Sequence, residues 1–137
     1  MRKIAVFMGD MSAEFQIDIA EAIKKEAKAR GIAVFVFTNA GVYGSNVFYS
    51  QGEKNIIHLP YLDDYDGIIV AGDTFGVDNM DEDLTDLLYR EAKCPIVCIR
   101  QKDERFSNVL VDDYSAMCTM VEHFIVHHGF KRVCFMT

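Results

Sequence analysis

The sequence predicts a doubly wound α/β domain built on a mostly parallel sheet, and three observations carry that prediction. Short runs rich in β formers recur along the chain, each closed by a polar or glycine-containing turn. Segments with apolar residues at three- to four-residue spacing alternate with them. Several of the runs are apolar on both alternating positions, as strands covered on both faces are. Strand and helix in alternation give a sheet with right-handed crossovers and helices on both sides.

The first unit is complete in itself. Lys3 to Met8 reads as a strand ended by Gly9-Asp10-Met11-Ser12. Ala13 to Arg30 reads as an amphipathic helix, with Phe15, Ile19, Ile23 and Ala27 on one side and Asp18, Glu21, Lys24, Lys25 and Lys28 on the other. Ser12 is the expected N-cap, Glu14 sits where the helix dipole favours a carboxylate, and Gly31 is the expected C′ residue. Ile32 to Thr38 is the second strand.

From Asn39 to Ser50 the chain has no clean periodicity, and a short irregular helix is expected from Asn46 to His58. Gly67 to Ala71 is a third strand. Met80, Leu84, Leu87, Leu88 and Ala92 mark a helix reaching Lys93, with Asp81, Glu82 and Asp83 in its first turn. Pro95 to Ile99 is a fourth strand, followed by a charged loop from Arg100 to Ser107 and a short fifth strand from Asn108 to Val111. Tyr114, Met117, Cys118, Val121, Phe124, Ile125 and His128 mark a long helix stopped by Gly129, and Arg132 to Met136 reads as a sixth strand.

Composition narrows the function. The chain has 137 residues, half of them hydrophobic, so a single domain can bury roughly two thirds of its unfolded surface. With 14 lysines and arginines against 21 aspartates and glutamates the formal charge is -7, and no basic run could track a phosphate backbone; direct nucleic-acid contact is not expected. No stretch has the length of a membrane span and no signal-peptide core is present, so a cytoplasmic location is expected. Cys94, Cys98, Cys118 and Cys134 lie in apolar segments without a C-x-x-C pair and read as reduced core residues.

Motifs for the common chemistries are missing. The first loop, GDMSAEF, has one glycine where a dinucleotide fingerprint needs three, and no phosphate-binding loop ending in Gly-Lys-Ser/Thr occurs; Gly41 and Gly44-Ser45 lack the lysine. No G-x-S-x-G elbow is present, and no catalytic residue or cofactor is expected. His123 and His127 share a helix face but lack the glutamate and third ligand of a zinc site, so they read as a solvated helix end and no metal is expected.

What remains is a set of polar and aromatic residues at strand ends: Asp10, Ser12 and Phe15 after the first strand, Asn39 after the second, Asp73, Thr74 and Phe75 after the third, Arg100 after the fourth, Asp112 and Tyr114 after the fifth. Carboxylates, an arginine and aromatic faces together suit a small polar ligand such as a sugar. The competing reading makes Phe15 and Phe75 core edges and Asp10, Asp73 and Asp112 helix caps.

The run KIAVFMGDMSAEFQIDIAEAIKKEAKARGIAVFVFTNA, followed by DYDGIIVAG, CPIVCIR and SNVLVDDYSAMCTMVEHFIVHHGFKRVCFMT, resembles the ligand-sensing domain of the lactose-repressor type, which has the type 1 periplasmic-binding-protein fold. The run GEKNIIHLPYLDDYDGII is similar to versions of that sensor on bacterial signalling proteins with diguanylate cyclase output. The resemblance implies a strand order 2-1-3-4-5 and an interlobe cleft faced by Phe15, Asp73, Arg100 and Asp112. It departs from the family at Ser12-Ala13-Glu14-Phe15, where an asparagine-proline-aromatic turn is usual, and after Asn39. It further implies a two-lobed protein about twice this long, so that residues 1–112 form one lobe and 113–137 begin the second, the chain being either a piece of a longer one or a homodimer that covers the exposed faces. On this reading the chain is a non-catalytic sensor of a small-molecule effector. A small flavodoxin-like hydrolase or transferase and a ligand-free dimerisation module are the alternatives.

Overall fold

The computed structural model describes residues 1–40 and 47–134. Strand β1 (Lys3–Gly9) leads through helix α1 (Glu14–Ala29) to β2 (Ala33–Asn39); α2 (Val47–Lys54), extended by a 3-10 turn over Asn55–His58, precedes β3 (Gly67–Ala71). Helix α3 (Met80–Glu91), β4 (Ile96–Ile99), β5 (Ser107–Val109) and α4 (Asp113–Glu122) follow, and α4 runs on into a π turn over His123–His127. The five strands form one sheet in the order β2-β1-β3-β4-β5, every neighbouring pair parallel.

Alternation along β1 divides the core into two layers. Ala5 and Phe7 face one side, where Ile68, Val70, Ile96 and Cys98 of the sheet pack against Met80, Leu84, Leu87 and Leu88 of α3. Val6 and Met8 face the other side and meet Ile19, Ala20 and Ile23 of α1. The doubly wound arrangement follows: a right-handed crossover through α1 moves the chain one way from β1, and the crossover through α3 moves it the other way on the opposite face. Parallel strands buried on both sides explain why the β1 and β3 runs are apolar at successive positions.

The register places the strand ends together. Gly9 lies beside Asn39, and Met8 beside Ala71, so the carboxyl ends of β1, β2 and β3 lie on one rim. Gly9 allows this closeness. A Cβ added there would lie within 2.7 Å of Thr74 O, Phe75 Cα and Asn39 Oδ1.

Several expectations are corrected. The N-cap of α1 is Ala13, without a side-chain hydrogen bond, because Ser12 is engaged instead with Asp10. No strand forms over Arg132–Cys134, which among the described residues have no neighbouring strand to pair with; Phe135 and Met136 lie outside the described residues. The fifth strand is Ser107–Val109, so Leu110 and Val111 fall in the loop that follows. Asn46 of the expected irregular helix, and Gly41, Gly44 and Ser45, also lie outside the described residues. Cys98 is buried and Cys94 half-buried, but Cys118 and Cys134 are exposed, since α4 and the segment after it bury no residue. Burial pushes the Cys94 and Cys98 thiols up from their ordinary pKa, which keeps them in the unreactive thiol form.

Candidate functional site

The carboxyl ends of β1, β3 and β4 bring three of the sequence-predicted residues into contact. Phe15 belongs to the apolar stripe of α1, yet it sits in the first turn, past the end of the sheet, and is 43% exposed where Ala27 at the other end of the stripe is buried. Arg100 stands immediately after β4 and lays its guanidinium over that ring, Cζ lying 4.7 Å from the centroid. Asp73, in the 3-10 turn Gly72–Thr74 that closes β3, forms an ion pair with Arg100, Nε to Oδ2 3.1 Å. Ring, cation and carboxylate therefore stand in a row along the rim.

Two of the three described non-glycine residues with positive φ, Asp10 and Arg100, stand at this rim, the third, Asn79, being the N-cap of α3. Arg100 has φ 63° and Asp10 φ 41°, both in the left-handed region that side chains with a Cβ rarely occupy. Arg100 is held there by its own amide, which donates to Val109 O at 2.8 Å. Asp10 is held by a turn in which Oδ1 accepts from the Ser12 amide at 3.3 Å and from the Ser12 hydroxyl, while its own amide donates to Asn39 O. Strained residues at a rim of polar groups are a recurrent mark of functional sites.

Thr74, Phe75 and Asn39 stand behind this row. Thr74 Oγ1 accepts from the Gly9 amide at 2.7 Å and donates to Ala71 O at 2.6 Å. Phe75 is 1% exposed and belongs to the core. Asn39 is buried, and its Nδ2 donates to Phe75 O at 2.8 Å. These three fasten the ends of β1 and β2 to the turn carrying Asp73, so their contribution is to the position of the rim.

Gln101 does the same for β4, although nothing in its sequence context singles it out. Its Nε2 donates to Asp81 Oδ2 at 3.1 Å, at the start of α3. Its Oε1, like Asn39 Oδ1, is a buried oxygen without a hydrogen-bond partner among the described residues. Each of these two oxygens is turned to a strand-end glycine, Gly72 for Gln101 and Gly9 for Asn39. A Cα–H group offers such an oxygen a weak donor, and only glycine leaves room for the approach.

Beyond Arg100, a cavity of about 370 Å³ is lined by Arg100, Lys102, Leu110, Val111 and Asp113. Asp113 is the first residue of α4, and the preceding Asp112 is the cap of that helix, Oδ1 accepting from the Ser115 amide at 3.0 Å. Those hydrogen bonds hold the Asp112 carboxyl below the usual carboxylate range. Tyr114 is 81% exposed. Asp112 thus serves as a cap while its neighbour Asp113 lines the cavity. Nothing local in the sequence marks Lys102, Leu110, Val111 and Asp113, because they meet only where the loop before β5 comes beside the loop after it.

The chemical capacity of the rim is that of a hydrogen-bonding surface. Among the described residues the Arg100 guanidinium makes an ion pair and a cation–π contact but no hydrogen bond, so its N–H groups are available to solvent or ligand. No group of three or more histidine, cysteine, aspartate or glutamate side chains among the described residues is arranged to hold a metal ion. His123 and His127 on the π turn and His128 just after it are exposed, with His123 Nε2 3.0 Å from His128 Nε2. Among the described residues no helix is long and apolar enough to cross a membrane. No model of a known protein family matches the chain, and no curated protein matches it.

Proposed function

We propose that this chain is the ligand-sensing module of a bacterial transcriptional regulator or signalling protein, acting in the cytoplasm without catalysis, and that it binds a small polar, sugar-like molecule at the carboxyl ends of its strands. The observation that carries this reading is the row formed by Phe15, Arg100 and Asp73. A guanidinium fixed between a ring and a carboxylate presents directed N–H donors beside carboxylate acceptors, the mixed set that the hydroxyls of a polyol match. Leu110 and Val111 in the adjoining cavity supply an apolar wall for C–H groups. Arg100 lies over the Phe15 ring that the sequence assigns to the ligand, and in this proposal the ligand meets the cation.

The same cavity supports a proposed route from ligand to response. Asp113 both lines the cavity and begins α4, so occupancy bears directly on the start of a helix that buries none of its residues. A ligand that interacts differently with two placements of α4 shifts the balance between them.

Calorimetric titration of the chain with neutral sugars, nucleosides and amino acids tests the proposal. Saturable binding without turnover is expected for one sugar-like class, and Phe15→Ala and Asp73→Asn are each expected to weaken it about tenfold or more. Turnover of a bound compound, or silence across the panel, would overturn it.

A further inference from the structure

We infer that the outer edge of β2 is a self-association surface, at which a second copy of the chain pairs its own β2 antiparallel about a two-fold axis at Val36. The surface lies on the side of the sheet away from Arg100, and the inference stands independently of the ligand reading.

The hydrogen-bond pattern defines what the edge offers. Ala33 donates its amide to Arg2 O, and Asn39 O accepts from the Asp10 amide. In a parallel ladder the residues that turn their amide and carbonyl to one neighbour alternate, so Ala33, Phe35, Phe37 and Asn39 face β1 while Val34, Val36 and Thr38 present theirs outward. Among the described residues no strand lies on that side. The fitting partner for such a row is another strand.

The two edges of the sheet differ in how they are guarded. β5 has three residues and follows a loop stiffened by Arg105, which is bonded to Asp86 and Asp103. β2 has seven, Ala-Val-Phe-Val-Phe-Thr-Asn, with no charge and no proline, and its Phe35 and Val36 are 44% and 40% exposed. A long, apolar, unguarded edge is a site of strand addition.

The sequence of the strand selects a second copy as the occupant. With Val36 on the two-fold axis, Val36 faces itself, Phe35 faces Phe37, Val34 faces Thr38 and Ala33 faces Asn39. The outward amides and carbonyls of Val34, Val36 and Thr38 then all find partners in hydrogen-bonded pairs. No like charges meet, and an aromatic cross-strand pair forms twice. Phe37 already stacks on Phe7 at 5.2 Å and Phe35 packs edge-on to Tyr65 at 5.7 Å, so the new pairs extend existing aromatic rows. A single strand pair falls short of the roughly 1,200 Å² of a stable interface, and the dimer is therefore reversible and favoured by concentration.

Sedimentation equilibrium over a dilution series, with amide hydrogen exchange at high and low concentration, tests this. The chain is expected to move from monomer to dimer as concentration rises, with exchange at Val36 and Thr38 slowing in step. Val36→Lys, which sets two cations face to face on the axis, is expected to raise the dissociation constant about tenfold or more while leaving the far-ultraviolet circular dichroism of the monomer unchanged. Val36→Thr, uncharged and β-branched, is expected to retain the dimer. A chain that stays monomeric at every concentration, or association that persists undiminished in folded Val36→Lys through another surface such as α4, would overturn the inference.

Discussion

Arg100 holds its guanidinium carbon 4.7 Å from the centroid of the Phe15 ring, tying the carboxyl end of β4 to the first turn of α1. The contact joins one face of the sheet to its rim, because α1 covers one side of the sheet while Arg100 stands at the carboxyl end of β4. It also rests on a left-handed backbone at Arg100. Holding the side chain over the ring therefore has a conformational cost that the ion pair with Asp73 and the cation–π contact offset.

That balance separates two substitutions at one position. Arg100→Gly removes the contacts and the strain together, whereas Arg100→Ala removes the contacts and keeps the strain. Arg100→Gly is expected to be more stable than Arg100→Ala by about 1 kcal/mol in urea unfolding, with both failing to bind ligand. Equal stabilities would show that the left-handed conformation at Arg100 carries no strain.

Two glycines with opposite surroundings give the second prediction. A Cβ at Gly9 meets the backbone of Thr74 and Phe75 and the side chain of Asn39, none of which can retreat without opening the rim; a Cβ at Gly52 in α2 meets nothing within 4 Å. Gly9→Ala is expected to destabilise the chain by about 2–3 kcal/mol, and Gly52→Ala to stabilise it by about 0.5–1 kcal/mol. Thermal unfolding of the pair checks both signs.

The third concerns pH. The Arg105 side chain donates hydrogen bonds to Asp103 and holds its carboxyl below the ordinary carboxylate range. Folding thus favours the ionised form, so the stabilisation is complete above the unfolded pKa near ~4 and is lost as pH falls through the lower folded value. Asp103→Asn is expected to cost about 1–2 kcal/mol at neutral pH and to flatten the decline of stability on the acid side. Chemical denaturation of both proteins from neutral pH down to about pH 3 measures the difference.

Particular residues show how far the sequence reaches. Gly31 was legible as the end of α1 because a helix terminus is a local event: its φ is 65° and the amides of Arg30, Gly31 and Ile32 return to Ala27 and Lys28. Ser12 was misread because two local devices compete there, a cap on α1 and a turn on Asp10, and the turn won. Phe15 and Phe75 look alike in sequence, each following a strand-end loop. Only the placement of α1 past the rim and of the β3 turn beneath it leaves one half-exposed and the other in the core. The orphan oxygens of Asn39 and Gln101 were illegible, since what they meet are glycines distant in the chain.

The sequence by itself determined the alternation of strands with helices, though it also predicted a sixth strand, together with the two-faced burial of β1 and β3 and the set of rim residues from which the candidate site is drawn, because these follow from periodicity and turn chemistry within short windows. The structure has the expected strand order 2-1-3-4-5; what only the tertiary structure decided is the division of that set into Phe15, Asp73 and Arg100 on the surface and Asn39, Thr74 and Phe75 behind it, the recruitment of Lys102 and Asp113, and the absence of a strand over Arg132–Cys134. The reason is physical. Which side chain reaches a cleft depends on how far each strand extends past its neighbours and on what packs beneath it, and a strand exists only where another strand is there to accept its hydrogen bonds.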